Sequence, residues 1–532
     1  MLSGFSGAAT LLNARGGTAL EMRQNTLSDH VPCTSASELF GRAGIAVPNP
    51  ASLNGIEITD VTDDSRALCR DACFVAVRGV GSDGHRFVPD AVCAGARIVV
   101  SEEDLALPSG VLGIRVTDTR SAIARLAAAF YRVDGMSLAS PILTGITGTN
   151  GKTTVAWLIR SILKTAGYVP AMFGTVEYDL VSERRVASLT TPGPVELCRH
   201  LSKAREAGAT HAVMEVSSHA LDQQRVDGLS FKVGVFTNLT GDHLDYHGSM
   251  EVYAKAKRRL FELLDGNSVA VVNADDPHGR FMVKNTRASI VTYGVETPGA
   301  DVQAASYKAD RQSTCFDMLG PWGRAPIRST LLGKHNVLNA LSASAAAWAL
   351  GVSAEDICTG LQTVSGVPGR LQRVEPDGFP FSVLVDYAHT DDALKNVLSA
   401  VRPLTLGRVI CVFGCGGDRD RTKRPRMAAV VGGMADVAIV TSDNPRSEDP
   451  QAIMDEILAG FMSQARCRVE SRVDRRSAIR MAVEEARSGD TVLIAGKGHE
   501  NYQLVGNQVL PFDDVDVARE CLVGLTNDRG GR

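Results

Sequence analysis

Short apolar runs recur along this chain, each closed by a polar or glycine-rich turn and separated from the next by a longer amphipathic stretch. That alternation predicts buried strands interleaved with helices, the pattern of α/β units on parallel sheets. Residues 35–46 have helical spacing. Residues 55–64 open a strand-and-turn region that runs through Phe74-Val-Ala-Val and Arg97-Ile-Val-Val and ends near Leu138. From Pro141 to about Ser365, the runs Ala212-Val-Met-Glu215, Val233-Gly-Val-Phe236 and Val269-Ala-Val-Val-Asn273 alternate with amphipathic helices, predicting a doubly wound, mostly parallel sheet. Gly366-Val-Pro-Gly-Arg370 is punctuated like a link. Beyond it, Ser382-Val-Leu-Val-Asp386, Val409-Ile-Cys-Val-Phe413, Val437-Ala-Ile-Val440 and Thr491-Val-Leu-Ile-Ala495 predict a further, Rossmann-like sheet. The expected organisation is a flexible extension over 1–34 and three α/β domains over 35–138, 139–365 and 366–532. No repeat of solenoid length stands out.

A length of 532 residues fits several domains, and 44% hydrophobic with 22% charged residues is ordinary for globular proteins. The 56 basic and 60 acidic residues leave a net charge of -4, so neither nucleic acid nor an anionic membrane is an expected partner. Any anion site must be local. No apolar run approaches the roughly 20 residues of a membrane span, and the N-terminal stretch lacks a continuous secretory apolar core. Eleven cysteines lie scattered without paired metal-site spacing, as expected of free thiols in a reducing cytoplasm.

One segment carries specific chemistry. Gly145-Ile-Thr-Gly148-Thr149-Asn150-Gly151-Lys152-Thr153-Thr154 is entered from Pro141-Ile-Leu and left through Val155-Ala-Trp-Leu-Ile, a phosphate loop between strand and helix. Its glycines let backbone N–H groups approach phosphate oxygens, Lys152 reaches the outer phosphates, and Thr153 or Thr154 offers a hydroxyl to magnesium. Five residues separate Gly145 from Gly151, one more than the common spacing. ATP is the expected ligand.

Other clusters sit at expected strand ends. Glu215-Val-Ser-Ser-His219 suits Mg²⁺, with Glu215 the better ligand, or a simple helix cap. The run from Thr237 to His247, with Asp242, His243 and Asp245, is open to metal binding, capping or solvation. Lys257 reads equally as part of a solvated basic helix face. Three loops (Phe413 to Pro425, Ser442 to Arg446, Gly496 to Glu500) follow strands of one sheet; the first reads also as a solvated loop, and together their arginines and Glu500 would suit a zwitterionic amino acid. ATP on one domain and an amino acid on another suggest a ligase that activates a carboxylate as an acyl phosphate.

Asp64-Ser-Arg66, Asp83-Gly-His85, Gly148 to Thr154, Thr190-Thr-Pro192, Glu215 to His219, Asp242 to Asp245, Asn273-Ala-Asp-Asp276, His335-Asn336, Asp386-Tyr-Ala-His389 and Asp443-Asn-Pro-Arg446 occur in this order. Together they resemble the Mur ligase family, in its branch that adds the third amino acid of the peptidoglycan stem. The likeness runs from about Ser35 to the C-terminus.

That resemblance implies a UDP-sugar-binding N-terminal domain, a central ATPase domain and a C-terminal amino-acid domain. It implies UDP-N-acetylmuramoyl-L-alanyl-D-glutamate, meso-2,6-diaminopimelate and ATP as substrates, Mg²⁺ as cofactor, and a cytoplasmic monomer. It places Ser65 and His85 near the uridine nucleotide, and Thr190, Thr191, Ser217, Gln223 and Arg225 on the muramoyl-dipeptide. Gly148, Thr149, Asn150, Gly151, Lys152, Thr153, Thr154, Asn336, Arg370, Asp386 and His389 would contact ATP. Thr153, Glu215, His243 and Lys257 would serve magnesium, Lys257 as an N-carbamoylated lysine, and Lys152, Lys257 and His243 would be catalytic. Arg419, Asp443, Asn444, Pro445, Arg446, Gly496 and Glu500 would hold diaminopimelate. The chain departs from the family pattern at Asp391 and at Arg70-Asp71, both beside binding loops. An L-lysine-adding ligase, a folylpolyglutamate ligase and a noncatalytic nucleotide-binding scaffold are the alternatives.

Overall fold

The computed structural model describes residues 33–79, 81–137, 140–376, 379–461 and 467–530, with side chains to 525. Residues 1–32 of the expected extension lie outside the described residues. Thr34, at its edge, pairs with Ile58 in a two-residue antiparallel ladder beside the helix Ala36–Arg42. Ser35 caps that helix, its Oγ accepting from Glu38 N at 3.2 Å.

The first sheet has four parallel strands, Val61–Thr62, Cys73–Val75, Ile98–Ser101 and Leu112–Arg115. The helix Thr119–Phe130 begins where Asp118 Oδ1 accepts from Arg120 N and Ser121 N. Its Ala122, Ile123, Leu126 and Phe130 join a core that runs on into the second unit, through Leu197 and Leu201 of the helix Pro194–Glu206. The two units therefore share one apolar interior.

The second sheet has eleven strands in the order Arg184–Val186, Glu177–Asp179, Pro170–Phe173, His211–Glu215, Ile142–Thr147, Phe231–Phe236, Val269–Asn273, Ser289–Gly294, Val302–Ala309, Thr314–Gly320 and Gly323–Ser329. The stretch from Pro170–Phe173 to Val302–Ala309 is parallel throughout. Helices Lys152–Thr165 and Lys334–Ala349 cover one face, and Pro194–Glu206 and Met250–Glu262 the other, so the sheet is doubly wound. Both margins continue as antiparallel strands. The apolar-run pattern does not announce these, because Val302–Ala309 and Gly323–Ser329 are half polar and largely exposed. A strand with one solvated face needs only alternation.

The third sheet has the order Gln372–Arg373, Ser382–Asp386, Thr491–Ala495, Val409–Phe413, Val437–Thr441 and Arg468–Arg472, parallel except for the first strand. Its four expected strands are wholly buried between two apolar layers. The last strand in sequence, Thr491–Ala495, inserts between the first two of the parallel series. Loops at the C-terminal ends of the strands flank this reversal of strand order, where open α/β sheets place their ligands.

Candidate active site

The phosphate loop joins the strand Ile142–Thr147 to the helix Lys152–Thr165. Gly148 and Gly151 have φ of 152° and 89°. A Cβ at Gly148 would collide with Thr237 Oγ1, and one at Gly151 with Asn339 Oδ1. Glycine is required at both points by conformation and by space. Thr237 Oγ1 and Asn238 Nδ2 donate to Asn150 O at 2.6 and 3.1 Å, and Asn150 N donates to Asn238 Oδ1 at 2.9 Å. Lys152 Nζ donates to Gly148 O at 3.0 Å and Thr149 O at 2.9 Å. Burial lowers its pKa against the pull of Glu215 and Asp242.

A cleft of about 250 Å³ opens over this loop, lined by Thr149 to Thr154, Glu215, Asn336, Arg370, Asp386 and His389 among others. Residues from the second and third sheets thus share one chamber. Arg370 Nη2 donates to Thr153 Oγ1 at 3.1 Å, and its guanidinium stands 4.7 Å from the Tyr387 ring centre. Asp386 is fixed by backbone: Oδ2 accepts from Leu371 N at 2.7 Å and Oδ1 from Ala388 N at 2.8 Å. Burial raises its pKa, opposed by Arg370 and those two N–H groups. Asn336 Nδ2 donates to Leu332 O at 2.8 Å, and its Oδ1 accepts from Asn339 Nδ2 at 3.0 Å. His389 Nδ1 donates to Tyr387 O at 2.8 Å.

Glu215, 1% exposed, closes the strand His211–Glu215. Its Oε1 accepts from Thr175 N at 2.8 Å and its Oε2 from Thr175 Oγ1 at 3.1 Å. Thr175 Oγ1 lies 3.1 Å from Thr190 Oγ1, and Thr191 Oγ1 donates to Glu215 O at 2.9 Å. Ser217 N donates to Thr191 Oγ1 at 3.1 Å, and Arg225 donates to Thr191 O at 2.7 Å and to Gln223 Oε1 at 2.8 Å. Thr190, Thr191, Ser217, Gln223 and Arg225 therefore form one connected wall beside Glu215. Ser65 and His85 lie in the N-terminal unit, outside this cleft. His85 Nδ1 donates to Asp83 Oδ1 at 2.6 Å and Nε2 accepts from Glu102 N at 3.3 Å.

Lys257 faces inward. The helix Met250–Glu262 exposes Lys255 but leaves Lys257 1% exposed, with Nζ donating to Gly148 O at 2.8 Å and 4.4 Å from the Tyr253 ring centre. A solvated basic face is excluded for this residue. Burial, reinforced by Lys152, holds its pKa well below the ordinary lysine value, opposed by Asp242. His243 has φ 53° and lies 3.5 Å from Asp242 Oδ2. Desolvation lowers its pKa against the pull of Asp242, while the side chain keeps 45% exposure toward the cleft.

Among the described residues no three His, Cys, Asp or Glu side chains converge as a metal cage. Mg²⁺ does not require such a cage, since it takes one or two protein oxygens and completes its shell with water and phosphate. Glu215, Thr153 and His243 line the same cleft, so the donor set fits such a partly open site.

In the third sheet, the three polar loops meet. Gly417 N donates to Asn444 O at 2.9 Å, Arg446 Nη1 to Gly417 O at 2.8 Å, and Asn444 Nδ2 to Glu500 Oε2 at 2.8 Å. Asp443 is buried against Gly496, where a Cβ would come within 2.5 Å of its Oδ2. Pro445 is buried between Asn444 and Arg446, and Arg419 is exposed at the rim. Arg446 holds φ 53°, pinned by its N–H to Leu504 O at 3.0 Å and by Gly506 N to its own carbonyl at 2.7 Å.

Six neighbours carry no assigned role from the sequence: Thr175 and Asp392, and Asn238, Tyr253, Lys423 and Lys497, which lie in runs singled out there. Asn238, Lys423 and Lys497 had a local signal, each in a polar run that follows a strand. Asp392 accepts from Asn150 Nδ2 at 2.9 Å and Thr240 Oγ1 at 3.1 Å, and Lys423 Nζ lies 2.5 Å from Asp242 Oδ1, contacts made between distant parts of the chain.

Comparison with known proteins agrees with this geometry. Residues 57–131 match the Mur ligase family, catalytic domain; 146–347 the Mur ligase middle domain; and 369–498 the Mur ligase, glutamate ligase domain. A protein of Solibacter usitatus named UDP-N-acetylmuramoyl-L-alanyl-D-glutamate--2,6-diaminopimelate ligase is 45% identical over 91% of this chain and 97% of its own length. One of the same name from Gloeobacter violaceus is 43% identical over 92% and 99%. A solved structure of a ligase so named is 34% identical, with a TM-score of 0.63 over 88% of this chain and 95% of that one. With its phosphate loop, shared cleft and near full-length relatives, the chain belongs to the Mur ligase family.

Proposed function

We propose that this protein is an ATP-dependent ligase that adds meso-2,6-diaminopimelate to the D-glutamyl γ-carboxylate of UDP-N-acetylmuramoyl-L-alanyl-D-glutamate, in peptidoglycan precursor synthesis. The observation that carries the reading is the single cleft in which the phosphate loop faces Arg370, Asp386 and His389 of the C-terminal unit. The relatives named for this reaction cover nearly their whole length.

The γ-carboxylate attacks the γ-phosphorus of ATP, giving an acyl phosphate and ADP. The free amine of diaminopimelate then attacks the acyl carbon, phosphate leaves, the nitrogen loses a proton and an amide remains. No protein nucleophile is needed. Lys152 and the backbone N–H groups that open the helix Lys152–Thr165 stabilise phosphate charge. Arg370 holds Thr153 and the third sheet to the loop, which excludes water from the acyl phosphate. The wall of Thr190, Thr191, Ser217, Gln223 and Arg225 orients the muramoyl-dipeptide. Ser65 and His85 shape the uridine end, and Asn336 and His389 border the nucleotide.

Mg²⁺ supplies charge neutralisation between phosphate oxygens. Glu215, Thr153, His243 and a carbamoylated Lys257 would hold it. The uncharged amine is the form of lysine that adds CO₂: its nitrogen bonds the carbon and loses a proton, leaving an anionic carbamate that would offer oxygen to the metal. In the other loop cluster, Arg446 and Arg419 would pair with the distal carboxylate of diaminopimelate, while Glu500 and the Gly496 backbone take its ammonium. We place the reaction in the cytoplasm, where ATP and UDP-linked precursors are made, and take the active unit as a monomer.

The test is phosphate release with ATP, Mg²⁺ and UDP-N-acetylmuramoyl-L-alanyl-D-glutamate, comparing meso-diaminopimelate with L-lysine and weighing the product by mass spectrometry. Turnover with diaminopimelate is expected. Equal or better turnover with lysine would transfer the assignment to the lysine-adding reaction, and none with either would leave only a nucleotide-binding scaffold.

A further inference from the structure

Lys497 carries an ammonium with 0% side-chain exposure, enclosed beneath the loop cluster assigned above to the incoming amino acid. Its Nζ donates to Asn444 Oδ1 at 3.0 Å and to Glu500 Oε2 at 3.2 Å, and stands 5.6 Å from the Tyr502 ring centre. Asn444 Oδ1 accepts a second bond from Leu504 N at 2.9 Å, while its Nδ2 donates to Glu500 Oε2 at 2.8 Å. Two donors on one side and a carboxylate on the other leave the carboxamide a single orientation. Lys497 and Asn444 both bond Glu500 through Oε2. Among the described residues Oε1 has no hydrogen-bond partner, and the Glu500 side chain keeps 17% exposure.

We infer that Lys497 is a specificity-positioning residue: without touching substrate, it locks Asn444 and Glu500 so that one carboxylate oxygen of Glu500 is presented to the ammonium of the incoming amino acid. The inference rests on the proposed amino-acid site. A buried ammonium needs both a countercharge and acceptors, and Glu500 and Asn444 supply them. In return they lose their rotational freedom before substrate arrives, so binding pays less to order them. Without the ammonium, Asn444 Oδ1 keeps only the Leu504 N–H and Glu500 Oε2 only Asn444 Nδ2, so the pair loses its countercharge and regains freedom to swing toward water.

The experiment is steady-state kinetics of Lys497→Met, a substitution of similar length without charge. KM for meso-diaminopimelate is expected to rise at least tenfold, with KM for ATP and kcat at saturating amino acid within about threefold of wild type. Partial misfolding lowers the active fraction and hence kcat, but leaves the KM of the folded molecules unchanged. If Lys497→Met has no cooperative melting transition, Lys497→Gln, which retains a donor toward Asn444, carries the same test. Because Lys497 acts through Glu500, adding Lys497→Met to Glu500→Gln should raise KM little beyond Glu500→Gln alone. An unchanged KM, a parallel rise for all substrates, or fully multiplicative effects in the double variant would overturn the inference. Failure of wild-type protein to use diaminopimelate would instead sink the site assignment beneath it.

Discussion

Asn150, in the phosphate loop, donates through Nδ2 to Asp392 Oδ2 at 2.9 Å, across 242 positions of sequence. The same carboxylate oxygen accepts from Thr240 Oγ1 at 3.1 Å. Asp392 lies in the first turn of a helix of the third sheet's unit, Asp391–Val401, so the phosphate loop is tied directly to the unit proposed to bring the amino acid. We predict that Asp392→Ala lowers kcat/KM for both ATP and diaminopimelate by roughly tenfold each, the scale of one charge-assisted hydrogen bond of about 1.5 kcal/mol. An effect confined to ATP would mean that the tie shapes only the loop.

Lys152→Met should abolish phosphate release, by about 10³-fold or more, since the proposed reaction gives this lysine the charge of the transferred phosphate to stabilise. Stability should not fall. The ammonium is half-buried and, among the described residues, its hydrogen bonds run to Gly148 O and Thr149 O, while burial lowers its pKa, so its removal relieves a desolvation cost. A melting temperature at or above that of wild type, with turnover lost, is the expected pair of results. Retained turnover would remove Lys152 from the chemistry.

The strand ends were legible in the sequence because fully buried parallel strands are continuous apolar runs: Val269–Asn273, Ser382–Asp386, Val409–Phe413 and Thr491–Ala495 coincide with the runs read from it. The strands Thr314–Gly320 and Gly323–Ser329 were not, since exposure of one face leaves them chemically mixed. Within the site, glycines and the phosphate-loop lysine announce themselves by spacing. Lys257 does not: one turn of a helix with four basic residues gives no sign of which one points inward, and only the packing of Tyr253 and Gly148 against it decides. Asp392 and Thr175 are ordinary polar residues whose importance comes from partners far along the chain. Local pattern carries no information about such partners.

Lys257 offers a direct chemical readout. Protein equilibrated with ¹³C-bicarbonate should show a carbamate carbon resonance that is missing from Lys257→Met, and that variant should lose phosphate release. Burial, which lowers the Lys257 pKa, favours the uncharged amine that adds CO₂. An active wild-type enzyme with no carbamate signal would show that the unmodified lysine suffices, its Nζ remaining on Gly148 O.

Arg446 tests amino-acid choice. The residue sits at φ 53° with its backbone tied to Leu504 and Gly506, so a replacement must tolerate the left-handed region, and asparagine does so better than leucine or alanine. Arg446→Asn therefore removes the guanidinium while keeping the loop. Diaminopimelate differs from lysine by one carboxylate, and a carboxylate that loses a charged partner in a half-buried site costs about 2–4 kcal/mol, or roughly 30- to 1000-fold. The expected outcome is a fall of that size in kcat/KM for diaminopimelate with lysine altered less than threefold, measured in competition for one pool of acyl phosphate. Equal losses for both amino acids would assign Arg446 to holding the loop through Gly417 O, and selection of the distal carboxylate would then have to come from Arg419 or Asn444.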